Sequence, residues 1–283
     1  MVSNFPVQLA VVALLVAIVE GLLRAPIGFA VAVLAVVLNA VVVAPTFTAD
    51  PYPVAPHAAR LTIGHLNAQT RGVDADALGR YLTAGAFDVF VVLDPLQSDV
   101  ARIAHAAPGY RVRTTGSRPG PASDFVRTVV LSRIPVADVA HPPDLGLGPS
   151  AVSFTIPNGD GPIQALIIGT DSPTSPTRAR ARDRTLDAAA RWSTHQTPRR
   201  IVMGDFNATP WSPAFHHLLT AGRLDNSLRG FGLQVSWPTA TFLVRIPIDH
   251  AVLGSGLAAV DRGTGPDFGS QHRALRVIVA TRA

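Results

Sequence analysis

Two long apolar runs open the chain. Residues 5–23 and 27–45 are dominated by Ala, Val, Leu, Ile and Phe, with Arg24 and Pro26 between them. Each has about the ~20 residues that a helix needs to cross the hydrocarbon core of a bilayer. A signal peptide fits poorly, because no basic segment precedes the first run and the apolar stretch is too long. A buried helical hairpin is the alternative to a membrane hairpin. Glu20 and Asn39 fall inside the runs, Glu20 near an end where it reaches the interface. Arg24 lies in the short connection, and a positive charge there places the turn in the cytoplasm. The expectation is therefore two transmembrane helices over residues 1–45. The protein would be multi-pass in the cytoplasmic membrane, with its remaining domain outside.

Residues 46–60 are proline-rich without periodicity and read as an extended linker. From Leu61 the pattern changes to short apolar runs of strand length: Leu61–Leu66, F-D-V-F-V-V-L ending at Leu93, Val126–Pro135, Ile163–Thr170 and Ile201–Met203. Helical patterns alternate with them. Asp74 caps one that carries Leu78, Tyr81 and Leu82 and stops at Gly85. Ser212 and Pro213 start another, with Phe215, Leu218 and Leu219 on its apolar face and Gly222 at its end. Residues 61–283 thus read as one α/β domain.

Composition narrows the chemistry. The chain has 283 residues and no cysteine, so disulfides, thiol chemistry and Cys-based metal sites are excluded. All 24 basic residues are Arg, and Glu20 is the only Glu. Acid–base work in the domain therefore falls to Asp or His. The net charge of +5 suits anionic substrates or lipid headgroups without singling out nucleic acid. Arg178, Arg180, Arg182 and Arg184 divide over two sides of a helix, so they read as a solvated helix start or as a contact for phosphate. The adjacent His216 and His217 do not face each other on a helix and read as surface residues.

The most informative stretch is R-I-V-M-G-D-F-N-A-T-P-W-S-P, residues 200–213. Ile201 to Met203 suit a buried strand, which Gly204 breaks. Asp205 and Asn207 lie two apart, so on an extended backbone both face one pocket. An Asx turn that merely closes the strand explains the same pair.

The string G-D-F-N-A-T-P-W-S-P resembles the endonuclease/exonuclease/phosphatase superfamily, the DNase I-like fold, here of a membrane-anchored type. Further motifs follow the family's order: Asn67 after the first strand, Leu93-Asp94, L-S-R-I-P at Leu131–Pro135, I-D-H around Asp249, and S-Q-H-R at Ser270–Arg273. The resemblance implies a four-layer αββα sandwich behind the N-terminal transmembrane hairpin. It also implies a phosphoester hydrolase using Mg2+ or Mn2+. On that resemblance, Asp205 orients or deprotonates water, and Asn67, Asn207 and His272 bind phosphate. Asp249 orients His272, while Asp94, Asn67 and Gln271 lie on the metal side. Ser132 and Arg133 are structural.

Three positions depart from the family's pattern: Asp94 stands for Glu, Asp171 for His and Gln271 for Asp. Two functions follow as expectations. One is a membrane-anchored phosphodiesterase, phosphatase or nuclease acting on a lipid headgroup, a nucleotide or nucleic acid. The other is a catalytically degenerate binding or scaffolding module. In either case residues 5–45 engage the lipid bilayer.

Overall fold

A computed structural model describes residues 4–69, 71–117, 126–142, 146–241 and 243–283. The two apolar runs form α1 (Pro6–Leu22) and α2 (Pro26–Val43), each with proline in its first turn, where a missing N–H costs nothing. They pack against each other. Arg24 turns the chain between them with a left-handed φ of 57°. Glu20 packs against Gly28, where any side chain would collide with its carboxylate. Most of their Leu, Val and Ile side chains are exposed. The helical segment Pro26–Thr48, 23 residues with a mean hydropathy of 2.7, is long and apolar enough to cross a membrane. At 17 residues α1 is shorter, about 26 Å against a core of about 30 Å. Among the described residues one helix clearly meets the length that spanning requires, and α1 lies at the short end of that range.

The proline-rich segment is not a free linker. After α3 (Pro45–Thr48), the Tyr52 hydroxyl donates to Asp225, and Arg282 stacks 3.7 Å from the Tyr52 ring centroid. Ala55 N–H donates to the Thr281 carbonyl. Three prolines restrict this segment, so docking it costs less conformational entropy than docking a flexible chain.

The domain holds two six-stranded mixed sheets. The first comprises β1 (Leu61–Asn67), β2 (Val89–Leu93), β3 (Arg111–Ser117), β4 (Val126–Ser132), β11 (Leu257–Thr264) and β12 (Leu275–Thr281), in the order β11-β12-β1-β2-β4-β3. The second comprises β5 (Ala137–Ala140), β6 (Val152–Ile156), β7 (Ile163–Gly169), β8 (Arg200–Asp205), β9 (Leu224–Asn226) and β10 (Asp249–Gly254), in the order β5-β6-β7-β8-β10-β9. Each sheet has one parallel pair, β1–β2 and β7–β8, and is otherwise antiparallel.

Alternation along the strands builds the layers. Ile63, Val89, Val91 and Val277 of the first sheet meet Ile167, Ile201, Met203 and Ala251 of the second in one core between the sheets. Leu66, Phe90 and Val92 face the other way, against α4 (Ala75–Ala84) and α5 (Gln97–Ala106). Leu166, Val202 and Val252 face α6 (Pro176–Thr194) and α7 (Pro213–Gly222). The helix caps fall where the sequence places them: Asp74 accepts from Ala77 N–H and Ser212 from Phe215 N–H.

The topology gathers several strand ends at one edge. Parallel β1 and β2 finish level, with Asn67 opposite Leu93, and parallel β7 and β8 finish with Gly169 opposite Asp205. Antiparallel β10 starts there, with Asp249 opposite Asp205. Antiparallel β12 starts beside the end of β1, so the segment before it, carrying His272, arrives at the same edge.

Gly204 does not break β8. It pairs with both Ile168 and His250, at a φ of 140°. A Cβ there would lie 1.9 Å from the Ile168 carbonyl oxygen, so only glycine lets the strand continue to Asp205. Gly204→Ala should destabilise the domain by more than about 3 kcal/mol. Chemical denaturation of the detergent-solubilised chain reads the shift; an unchanged midpoint would contradict this account.

Candidate active site

Asp205 ends β8 almost wholly buried. Three N–H groups satisfy its carboxylate. Asn207 N–H donates to Oδ1 at 2.9 Å, and the Asn67 and Asn207 side-chain amides both donate to Oδ2 at 2.9 Å. Asn207 has a φ of 45°, so the backbone here is left-handed and not extended. Asp205 and Asn207 converge because the chain folds back on itself in an Asx turn. The turn and the pocket are one structure.

The Asn207 amide also donates to the Thr170 carbonyl at 3.0 Å, and the Asn67 side-chain oxygen accepts from Gln69 N–H. Both Asn side chains therefore position Asp205. Arg182, alone of the four Arg in the α6 run, reaches this turn and donates to the Asn207 carbonyl at 2.7 Å.

His272 lies beside Asp205. Its Nδ1 is 2.8 Å from Asp249 Oδ2, and its Nε2 is 3.7 Å from Asp205 Oδ2. All three side chains are buried. Neither His272 Nε2 nor Asp249 Oδ1 has a hydrogen-bond partner. Ser270 fixes this loop: its hydroxyl donates to the Asn67 carbonyl and accepts from His272 N–H. Ser236 anchors Asp249 by accepting its N–H at 3.1 Å.

The electrostatics follow from two carboxylates and one imidazole in a dry site. Burial disfavours the charged His272, but Asp249 and Asp205 outweigh it and raise its pKa to about 9. Burial raises the Asp205 carboxyl, and Asp249 raises it further, against the pull of His272 and the three N–H donors. Burial also works against ionised Asp249, yet the His272 charge and hydrogen bond keep its carboxyl below the ordinary range.

One member of the group escaped the sequence reading. His65 sits in the middle of β1 with no exposed surface, its Nε2 3.5 Å from Asp249 Oδ1. Burial lowers its pKa to about 4, so the ring is neutral. The available signal was a histidine inside an apolar run, two residues before Asn67 and so on the same strand face.

Asp94 has partners of its own beside this group. It follows β2 at the same edge with a φ of 46°. The Ser150 hydroxyl lies 2.8 and 3.0 Å from its two carboxylate oxygens, and Arg127 Nη1 is 3.7 Å away. Burial raises its pKa, and Ser150 and Arg127 oppose that rise. Neither Ser150 nor Arg127 was singled out from the sequence, because Arg127 comes from β4 and Ser150 from the turn before β6. Gln271 is half-buried, and its backbone carbonyl accepts from Thr239 N–H. Asp171 is half-exposed and pairs with Arg178 at 3.6 Å, and His217 pairs with Asp187 on the surface.

A sequence model described as the Endonuclease/Exonuclease/phosphatase family matches residues 64–272. The chain belongs to this family. Solved structures agree on the fold. An endonuclease/exonuclease/phosphatase family protein from Bacteroides thetaiotaomicron is 14% identical, with a TM-score of 0.64 over 80% of this chain and 100% of that one. A mannosyl-6-phosphatase from the same species is 14% identical, with a TM-score of 0.61 over 77% and 99%. D. rerio TDP2, solved with a single-strand DNA product, is 14% identical, with a TM-score of 0.59 over 78% and 99%. No curated protein matches the chain by sequence.

Members of this family typically depend on a divalent metal. Here Asp205, Asp249 and His272 offer ligand atoms within 4.8 Å of one another. The unpartnered His272 Nε2 and Asp249 Oδ1 make this group chemically suited to a cation. Neutral His272 is a ligand and protonated His272 is not, so metal and proton compete there. Asp94 already has a guanidinium and a hydroxyl as partners, which leaves its carboxylate less available.

A pH dependence of stability follows. His272 has a folded pKa above its unfolded value, so its stabilisation is complete below about pH 6.5 and lost as pH rises through about 9. The raised Asp205 pKa acts in the same direction. Without metal, stability should fall by about 1–3 kcal/mol across that window, and His272→Gln should flatten the slope. Denaturation midpoints against pH measure it; equal slopes would contradict the assignment.

Proposed function

We propose that this chain is a membrane-anchored, divalent-metal-dependent phosphoester hydrolase whose domain acts outside the cytoplasmic membrane. The observation that carries the reading is the buried line from Asp249 through His272 to Asp205, with an unpartnered Nε2 at its centre. Membership of a phosphoester-hydrolase family supports it. Residues 5–45 form the anchor and residues 61–283 the catalytic domain, with the turn at Arg24 cytoplasmic.

Hydrolysis of a phosphoester forms one P–O bond from water and breaks one P–O bond to the leaving alcohol. The proton lost by water ends on that alcohol. Asp205 takes the proton from the attacking water. Its raised pKa makes it a stronger base than an ordinary carboxylate, and Asn67 and Asn207 hold its oxygens in line. His272, kept charged by Asp249, donates from Nε2 to a phosphoryl oxygen. Buried groups in fixed positions stabilise developing charge without reorganising. The carboxylates of Asp205 and Asp249 are the groups that would hold Mg2+ or Mn2+ while His272 keeps its proton. Asn67 is adjacent, and Asp94 and Gln271 are more peripheral. When bound, the ion supplies positive charge against the phosphoryl oxygens.

A second reading rests on one observation. Asp94 is held by Ser150 and Arg127, which favours a degenerate module that binds phosphate esters without turnover. Hydrolysis of bis(p-nitrophenyl) phosphate by the full chain in detergent, with Mg2+ or Mn2+, separates the two. The hydrolase reading expects metal-dependent turnover that falls about 10²–10⁴-fold in His272→Ala and in Asp205→Asn. It also expects Arg127→Ala, which frees Asp94, to tighten Mn2+ binding by calorimetry. Turnover that is absent with both metals would favour the binding module, and turnover that survives His272→Ala would overturn the role given to His272.

A further inference from the structure

The chain from Ser236 packs beside the segment that carries His272, with Arg273 N–H donating to the Ser236 carbonyl. Its base is closed by the Trp237–Ile246 backbone pair, and Arg245 donates to the Pro238 and Thr239 carbonyls. On its inner side Thr239 bonds the carbonyls or N–H groups around the catalytic His: its N–H reaches the Gln271 carbonyl and its hydroxyl the Ser270 carbonyl. Further along, Leu243 is 82% exposed and Val244 47%. A leucine so exposed beside a polar site gains nothing from the domain itself.

The start of α1 and the residue leading into it touch this segment and the turn after Asn207. Gln8 donates to the Arg245 carbonyl at 3.0 Å. Thr209, two residues after Asn207, donates to Asn4 at 3.0 Å. The far end of the pair is tied as well: Gly232 N–H donates to the Thr46 carbonyl, and Arg229 to the Asp50 carbonyl. Beyond these ties the helices expose Val11, Val12, Val41 and Val42. Such surface is stable only against lipid or another apolar cover. The domain-side ends of both helices therefore lie beside loops that flank the site, and Leu243 stands next to the point where the apolar surface of α1 begins.

We propose that Leu243 and Val244 insert into the outer leaflet and that the site takes the phosphoester of a membrane lipid headgroup. The substrate class rests on the hydrolase reading above; the insertion does not. A lipid reaches the site by lateral diffusion, with its headgroup at the height of His272 and its chains still in the bilayer. The two side chains contribute a modest apolar term beside the helices. Their effect is on the distance between site and surface.

The chain has no native cysteine, so Leu243→Cys accepts a single environment-sensitive fluorophore. In the full chain reconstituted into phosphatidylcholine–phosphatidylglycerol vesicles, the label should shift to the blue, resist aqueous iodide and be quenched by a lipid-phase quencher. Iodide quenching like that of a free label would overturn the insertion. Headgroup release from the same vesicles is compared with hydrolysis of bis(p-nitrophenyl) phosphate. The double variant Leu243→Asp, Val244→Asp should lose about tenfold or more on lipid and keep its rate on the soluble ester. Soluble-ester hydrolysis without headgroup release, or equal lipid rates in the two proteins, would overturn the lipid assignment and leave the hydrolase reading standing. Absence of hydrolysis on both probes would overturn the hydrolase reading and with it the substrate class, while the label still decides insertion.

Discussion

The structure depends on making a buried carboxylate tolerable at Asp205. Removing an ionised group from water is costly unless charge and hydrogen bonds replace the solvent. Three N–H donors and the neighbouring His272 do so. They come from three places, Asn67 at the end of β1, Asn207 in the turn after β8 and His272 ahead of β12, and together they span both sheets. The site is thus a cross-link between the sheets at the edge where their common core stops. Asn67 from one sheet binds Asp205 from the other, and His272, leading into β12 of the first sheet, binds Asp249 of the second. Folding of the two halves and assembly of the chemistry are one event.

The constraint extends into the strands. β8 must deliver Asp205 to the edge while passing close to Ile168, which leaves no room for a side chain at Gly204. Asn207 and Asp94 take up left-handed backbone where their strands end. Such conformations persist where surrounding contacts hold them, and at Asn207 those contacts are the hydrogen bonds to Asp205 and Thr170. Strain, turn and site have the same location because all three follow from ending a buried strand on a polar residue.

This explains what the sequence disclosed. The Asp205–Asn207 turn, the helix caps at Asp74 and Ser212, and the alternation of strands and helices are local, so adjacent residues reveal them. The family's motifs made Asp249 and His272 recognisable although 22 residues separate them. His65, Ser150 and Arg127 were missed because their roles arise from register between strands: His65 meets Asp249 only after β1 and β10 are placed, and Ser150 meets Asp94 across fifty-six positions. In the N-terminal segment hydropathy was legible, but the bounding Pro6 and the turn at Arg24 trim the first helix to 17 residues, the short end of the spanning range.

Two cationic solutions now stand at one edge. Asp205 and Asp249 are balanced by a proton on His272, and Asp94 is balanced by the permanent charge of Arg127. The difference matters for chemistry. A proton on His272 exchanges with metal or moves with pH, so that group can change its charge state during a reaction. The guanidinium of Arg127 does neither, because arginine stays protonated in proteins. It can leave Asp94 only by moving its side chain. The adaptable part of the site is therefore the Asp249–His272–Asp205 line, while Asp94, Ser150 and Arg127 form a fixed-charge border beside it. A substrate phosphate approaching this edge meets an acceptor-rich group whose excess charge is compensated from within, which lets an anion approach a site built largely of aspartates.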